Sequence, residues 1–321
     1  MTLIDISTLT SSSIYHSTET FYGIICSGLT SKMKRSFISS NSSFTECLRK
    51  DGPSLYFLSN SNVNDDNCRT NCTFDDHQVS LPSTVADAEY EFFSCTWKQC
   101  SESCGGAILC TYCTGSSLTV TRCYFSSCTC SEIHGGAIYA SQISTFYCLS
   151  SFFYDCHSYA LDGGGIQSIE ITQCNSFKDC FFVSNSAARY GGGLVVADIK
   201  TTSCDCSFSA VVSDCRFLEN NAEQGGGLHM RPSIDTHYIC NSLISCNNAT
   251  SGGGLQFWND VLQSVSFPSF SFLFFSSNSA TDGNDIQIGG TNLFSVRSFA
   301  HCFSSTRTQR IYPNKDVDWL P

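Results

Sequence analysis

A tetrapeptide returns along this chain at near-constant spacing, and that return limits the possible folds more than any other feature. It reads Gly105-Gly106-Ala107-Ile108, Gly135-Gly136-Ala137-Ile138, Gly163-Gly164-Gly165-Ile166, Gly191-Gly192-Gly193-Leu194, Gly225-Gly226-Gly227-Leu228 and Gly252-Gly253-Gly254-Leu255. A worn seventh copy is Gly283-Asn284-Asp285-Ile286. The aliphatic residues stand 30, 28, 28, 34, 27 and 31 positions apart. A fixed period in this range marks a solenoid or array, in which each repeat stacks on its neighbours.

A second motif runs in phase with the first. A bulky apolar residue precedes each glycine pair: Trp97, Phe125, Phe153, Phe182, Phe217, Leu243 and Phe275. Three residues after each comes Cys or Asn: Cys100, Cys128, Cys156, Asn185, Asn220, Cys246 and Asn278. Short β-forming runs such as Cys180-Phe181-Phe182-Val183 alternate with glycine-bearing turns, and no helical i, i+3, i+4 pattern is present. Short strands on this period predict an all-β, right-handed parallel β-helix of about seven to eight coils of ~30 residues. A β-propeller is the rival, but its blades need ~40 residues or more.

Equivalent residues of successive coils would stack ~4.8 Å apart. The aliphatic and aromatic residues then become internal ladders. The glycines fall where a positive φ or close coil approach excludes a Cβ. The Asn side chains are expected to bond turn backbone, with Cys as a small buried substitute. A second cysteine column, Cys95, Cys123, Cys180 and Cys215, lies two residues before the aromatic one and is expected inside with it. Side chains on stacked coils run parallel and reach a disulfide torsion with difficulty, so thiols are expected over regular disulfides.

The regular coils span 92–288 within a β-helix over 36–290. Residues 1–35 read as a flank or cap, 59–90 as an irregular insertion, and 291–321 as a tail or linker. The 321 residues carry a net charge of −11. That charge argues against nucleic acid as a partner, since phosphate neutralisation needs cations. Lys32, Lys34 and Arg35 form one small basic cluster, read as a solvated edge. The 22 cysteines and the sequons at Asn41, Asn71 and Asn248 point to an oxidising compartment. Residues 1–31 argue the other way, since they hold no Lys or Arg and their longest apolar run, Phe21 to Cys26, is broken by Gly23. The chain is therefore read as intracellular or, preferably, as a piece of a longer protein. No stretch is apolar for the length of a membrane-spanning helix.

The paired motifs resemble the repeats of the polymorphic outer membrane proteins first described in chlamydiae, whose signature joins Gly-Gly-Ala-Ile to Phe-x-x-Asn. The glycine motif matches fully at 105–108 and 135–138, and Phe-x-x-Asn is present at Phe182–Asn185, Phe217–Asn220 and Phe275–Asn278. The cysteine-rich form is more similar to expanded repeat families of anaerobic protists. The resemblance covers about residues 92–288 and implies a β-helical passenger region acting as a surface adhesin, its ligand a surface glycan or a protein.

The β-helix also hosts pectate lyases and galacturonases, so a carbohydrate-active enzyme is weighed as an alternative, as is a structural piece of a larger surface protein. Asp162 lies some 120 residues before Asp282 and Asp285, about four coils or ~19 Å along the axis, too far for a carboxylate pair. Asp155, Asp179 and Asp214 read as turn carboxylates, and His134 and His157 as turn residues in different phases. Cys110-x-x-Cys113, Cys128-x-Cys130 and Cys204-x-Cys206 lack the paired knuckle that a zinc site needs. The reading is therefore a non-enzymatic, cell-surface or secreted, ligand-binding β-helix with no cofactor and no metal. Its repeat positions are structural: Gly105, Gly106, Gly135, Gly136, Gly163, Gly164, Gly191, Gly192, Gly225, Gly226, Gly252 and Gly253; Phe125, Phe153, Phe182, Phe217 and Phe275; and Asn185, Asn220 and Asn278.

Overall fold

The computed structural model describes residues 43–44, 55–56, 68–70, 73–76, 78–81, 87–198, 211–231, 238–259, 269–290, 298–300, 303–304 and 310–311. Leu55's side chain, the basic cluster at 32–35, the sequons at Asn41 and Asn71, Cys204 and Cys206 lie outside what is described. The described chain is an all-β parallel β-helix. Its regular body makes about six turns of ~28 residues, slightly fewer and shorter than the repeat count predicts.

One coil shows the plan. Tyr124–Ser126 belongs to an aromatic-lined sheet, Thr129–Cys130 to a short sheet, Ile138–Ser141 to an aliphatic-lined sheet and Thr145–Leu149 to a third long sheet. Each strand pairs in parallel with its equivalents one coil before and after, giving sheets of ten, four, ten and nine strands. Strands at Cys68–Thr70, Thr73–Asp75 and Val79–Leu81 carry the sheets through part of the irregular stretch before residue 90. Ser298–Ala300, Phe303–Ser304 and Arg310–Ile311 add to them after residue 290.

The aliphatic ladder runs in register from Val79 through Ile108, Ile138, Ile166, Leu194, Leu228 and Leu255 to Ile286, all buried. The aromatic ladder stacks Phe74, Trp97, Phe125, Phe153, Phe182 and Phe217, with ring centroids 4.6 to 5.0 Å apart. Those spacings match the rung repeat of paired strands. A third internal ladder, which the motifs do not announce, comprises Phe92, Val120, Cys148, Phe177, Val212, Ile239 and Phe270.

The sixth coil corrects the predicted register by one residue. Phe217 pairs with Ile244, and Ile244 with Phe275, so Leu243 faces outward. Asn247 then fills the Cys/Asn column, and Cys246 is an exposed corner residue with φ 57°. Both frames satisfy the spacing. The amide decides between them, because Asn247 Nδ2 donates to Phe217 O at 2.9 Å and no thiol bonds that carbonyl as well.

The corners follow one rule. A residue in the left-handed region turns the chain and aims the next side chain inward. Asp179 precedes Cys180, and Ser184 precedes Asn185. At the glycine corner the first Gly has positive φ in every repeat. The second is required by coil contact instead, since a Cβ on Gly192 would stand 2.5 Å from the carbonyl oxygens of Asn221 and Gly226.

The cysteines whose side chains are described are buried thiols apart from Cys240, Cys246 and Cys174, which is disulfide-bonded. Cys95, Cys123, Cys180 and Cys215 do form an inward column, as predicted, and Ser151 and Ser242 share it. Cys123 N donates to Ser151 Oγ at 3.1 Å, and Cys215 N to Ser242 Oγ at 3.1 Å.

Candidate binding face

Strand alternation sends the residue before each internal aromatic to the opposite side of the sheet. Several of these residues are aromatic too. The outward column therefore reads Thr96, Tyr124, Phe152, Phe181, Arg216, Leu243 and Phe274. A parallel column holds Tyr154, Val183 and Leu218. Tyr124, Tyr154 and Phe274 are 37%, 42% and 49% exposed, which is high for aromatics on a regular sheet.

The rings on this face are ordered. Tyr124 and Phe152 stack at 5.4 Å and 10°, and Phe152 lies 5.7 Å from Phe181. The Arg216 guanidinium sits 4.8 Å from the centre of the Phe181 ring. Tyr124 and Phe152 turn their flat faces toward each other along the axis, so their edges meet solvent. Ring edges carry the positive side of the aromatic quadrupole and favour carbonyl oxygens and other ring faces over flat stacking on a sugar. The third sheet offers a contrast. Its outward positions mix Glu89, Glu91, Ser117, Thr119, Thr121 and Thr145 with Phe93, Tyr147 and Leu149, so its apolar side chains are fewer and set among polar ones.

The outward face of the aliphatic sheet is covered rather than open. Residues before the first glycine of the motif pack over residues after the aliphatic one. Tyr190 stacks on His229 at 4.6 Å, His229 Nδ1 bonds Gln256 Oε1 at 2.7 Å, and Gln256 Nε2 donates to Gln287 Oε1 at 2.6 Å. Burial pushes His229 down to about 4, so it is neutral at pH 7.

This layer holds the predicted candidate Asp162. It is buried in a bidentate pair with Arg189, both N···O distances 2.9 Å, and its Oδ2 lies 3.4 Å from His134 Nδ1. The pairing raises the Arg189 pKa, while burial lowers that of His134. Sequence reasoning read His134 as a turn residue and set Asp162 apart from a carboxylate pair, and it missed that the two stack on adjacent coils, with Arg189 reaching back from the next. Asp282 accepts from Gln287 Nε2 at 2.8 Å, and Asp285 from Asn278 Nδ2 at 2.9 Å. None of these carboxylates stands opposite a second one. Asp179 and Asp214 are corner residues of positive φ.

Asp155, His157 and Ser186 do come together. His157 Nε2 is 3.0 Å from Asp155 Oδ1, and Nδ1 is 2.6 Å from Ser186 Oγ. The order of groups is that of an acyl-transfer relay, but the surroundings are not. The amides of Ser186, Ala187 and Ala188 donate to Cys156 O, Asn221 O and Ser158 O, so none is left to hold an oxyanion. The three side chains act as a clasp across two coils. Asn248, the described sequon asparagine, is exposed and donates to Asn221 Oδ1 at 2.9 Å.

Among the described residues no group of three or more His, Cys, Asp or Glu has metal-holding geometry, and no helix is long and apolar enough to cross a membrane. Comparison with known protein families, with curated proteins and with solved structures finds no match to this chain.

Proposed function

We propose that this chain is a non-catalytic, ligand-binding β-helix of the surface-adhesin kind, and that its aromatic sheet is the binding face. The carrying observation is the outward ladder of Tyr124, Phe152 and Phe181 with Tyr154, Val183, Leu218, Leu243 and Phe274 beside it. Folding gains little from leaving such side chains in water, and a contiguous apolar patch on a soluble surface marks an interaction site. The edge-on rings favour a protein ligand over a glycan. The paired Gly-Gly-Ala-Ile and Phe-x-x-Asn motifs support placing the chain beside the polymorphic outer membrane protein repeats, and with them a cell-surface or secreted location.

The test is binding of the full chain to cells and to arrays of matrix proteins and glycans, beside the variant Tyr124→Ser/Phe152→Ser/Tyr154→Ser. The proposal expects binding that the variant loses by at least about tenfold at unchanged thermal stability, an effect in line with losing buried aromatic anchors. Equal binding by the variant would place the ligand site elsewhere. Cleavage of a polysaccharide would favour the enzyme reading instead.

A further inference from the structure

Beyond that reading, two thiols inside the helix stand in direct sulfur-to-sulfur contact. Cys148 Sγ and Cys180 Sγ are 3.7 Å apart, on adjacent coils and fully buried. Each position explains itself only in part. Cys180 belongs to the corner column in which Ser151 and Ser242 do the same hydrogen-bonding work, so that work does not require sulfur. Among the described residues, Cys148 is the only thiol in an internal column otherwise built from Phe92, Val120, Phe177, Val212, Ile239 and Phe270, so packing there does not require sulfur either. Only the coincidence of the two uses the element's chemistry. Metal capture is a poor account of it, because no metal-holding group of three ligands exists among the described residues.

We propose that Cys148 and Cys180 form a covalent modification site, a dithiol that a low-molecular-weight disulfide converts into a staple between successive coils. Cys180 borders the corner at Asp179, so opening of that corner reaches it first. Its thiolate attacks one sulfur of the small disulfide, breaks that S–S bond and expels one thiolate. The Cys148 thiolate then attacks the Cys180 sulfur, forms the cross-coil bond and expels the second thiolate. The two protein thiols are oxidised, the small disulfide is reduced to two thiols, and the two protons end on those products. Burial makes the exchange slow in the closed helix and faster under conditions that open it.

The experiment uses the full chain, reduced and then equilibrated in buffers of graded reduced and oxidised glutathione with urea below the unfolding transition. Remaining thiols are alkylated in denaturant, and the chain is digested without reductant. The expected result is a peptide pair joined through Cys148 and Cys180, two mass units lighter than the sum of its reduced parts. It should grow with oxidised glutathione and be accompanied by a rise in Tm of about 5 °C. Cys148→Val, which suits the apolar column, should abolish both the joined peptide and the rise. The wild-type map decides alone should that variant not fold. The proposal is overturned if Cys148 and Cys180 both remain alkylated in the most oxidising buffer. It is equally overturned if Cys180 is recovered joined to Cys215 or to glutathione with Cys148 still alkylated, or if the Tm rise persists in Cys148→Val.

Discussion

One internal column is built from thiols in the first half of the helix and from amides in the second. Cys100, Cys128 and Cys156 give way to Asn185, Asn220, Asn247 and Asn278. The amide half is a continuous hydrogen-bonded ladder. Asn220 Oδ1 accepts from Asn185 N and Nδ2 at 3.0 Å, while Asn220 Nδ2 donates to Phe182 O and to Asn247 Oδ1 at 2.9 Å. In the thiol half the contacts are longer, such as Cys128 Sγ to Trp97 O at 4.0 Å and to Ser126 O at 3.6 Å. The same coil geometry is therefore held by short amide bonds on one side and by packing with longer, weaker thiol contacts on the other.

The larger amide is matched by a change elsewhere. The third residue of the glycine motif is Ala107 or Ala137 where the next coil carries Cys, and Gly165, Gly193, Gly227 or Gly254 where it carries Asn. A Cβ on Gly227 would meet Gly254 O at 2.7 Å and Asn247 Cγ at 3.1 Å, and one on Gly254 would meet Asp285 O at 2.6 Å and Asn278 Nδ2 at 3.1 Å, so the backbone of the next coil and its amide both crowd this site. The variation within the repeat is thus coupled rather than free.

Substitutions can break or sharpen this contrast. The largest effect should ignore it. Gly136→Ala and Gly192→Ala, one in each half, each set a Cβ against backbone carbonyls of the next coil. Each should cost more than about 4 kcal/mol in denaturant unfolding or prevent folding. Asn220→Ala should come next, at about 3 kcal/mol, because it strands the buried Asn185 N and Phe182 O of the preceding coil and cuts the amide ladder between Asn185 and Asn247, whereas Cys128→Ala should cost only about 1 kcal/mol. Equal losses for the two would erase the contrast.

Acid should also separate the halves, through His229. Its folded pKa of about 4 lies below the ordinary 6.5, so the unfolded chain binds the extra proton between those values. The share of stability that depends on His229 is complete above pH 6.5 and falls by about 3 kcal/mol as pH drops to 4; His229→Gln should remove that share and leave only the acid loss of His134 in the other half, whose pKa burial also lowers. Hydrogen exchange at pH 5 should show the coils around His229 opening first. The smallest effect sharpens the coupling. Cys156→Asn should cost about 1 to 2 kcal/mol from overpacking, and adding Ala137→Gly should recover most of it.

Much of this architecture is legible in the chain itself. Glycine and aromatic spacing specify the coil, and the inward ladders follow from it. The register at Leu243 and Ile244 is not legible, because two apolar residues and the Cys246-Asn247 pair satisfy the pattern in either frame. The outward aromatic column had a signal that the repeat motifs do not include. Tyr124-Phe125, Phe152-Phe153, Phe181-Phe182 and Phe274-Phe275 are adjacent aromatics, and a strand must send one of each pair outward. The Asp162–Arg189 pair is hidden for a different reason. Its partners are 27 residues apart and meet only because consecutive coils stack.

The central claim is that folding uses one aromatic of each pair and leaves the other for a partner. Thermal unfolding of Phe152→Ser beside Phe153→Ser tests it most directly. The account predicts that Phe152→Ser melts within about 2 °C of the parent, while Phe153→Ser loses at least about 3 kcal/mol of stability or fails to fold. Comparable destabilisation by the two, or the reverse order, would contradict it.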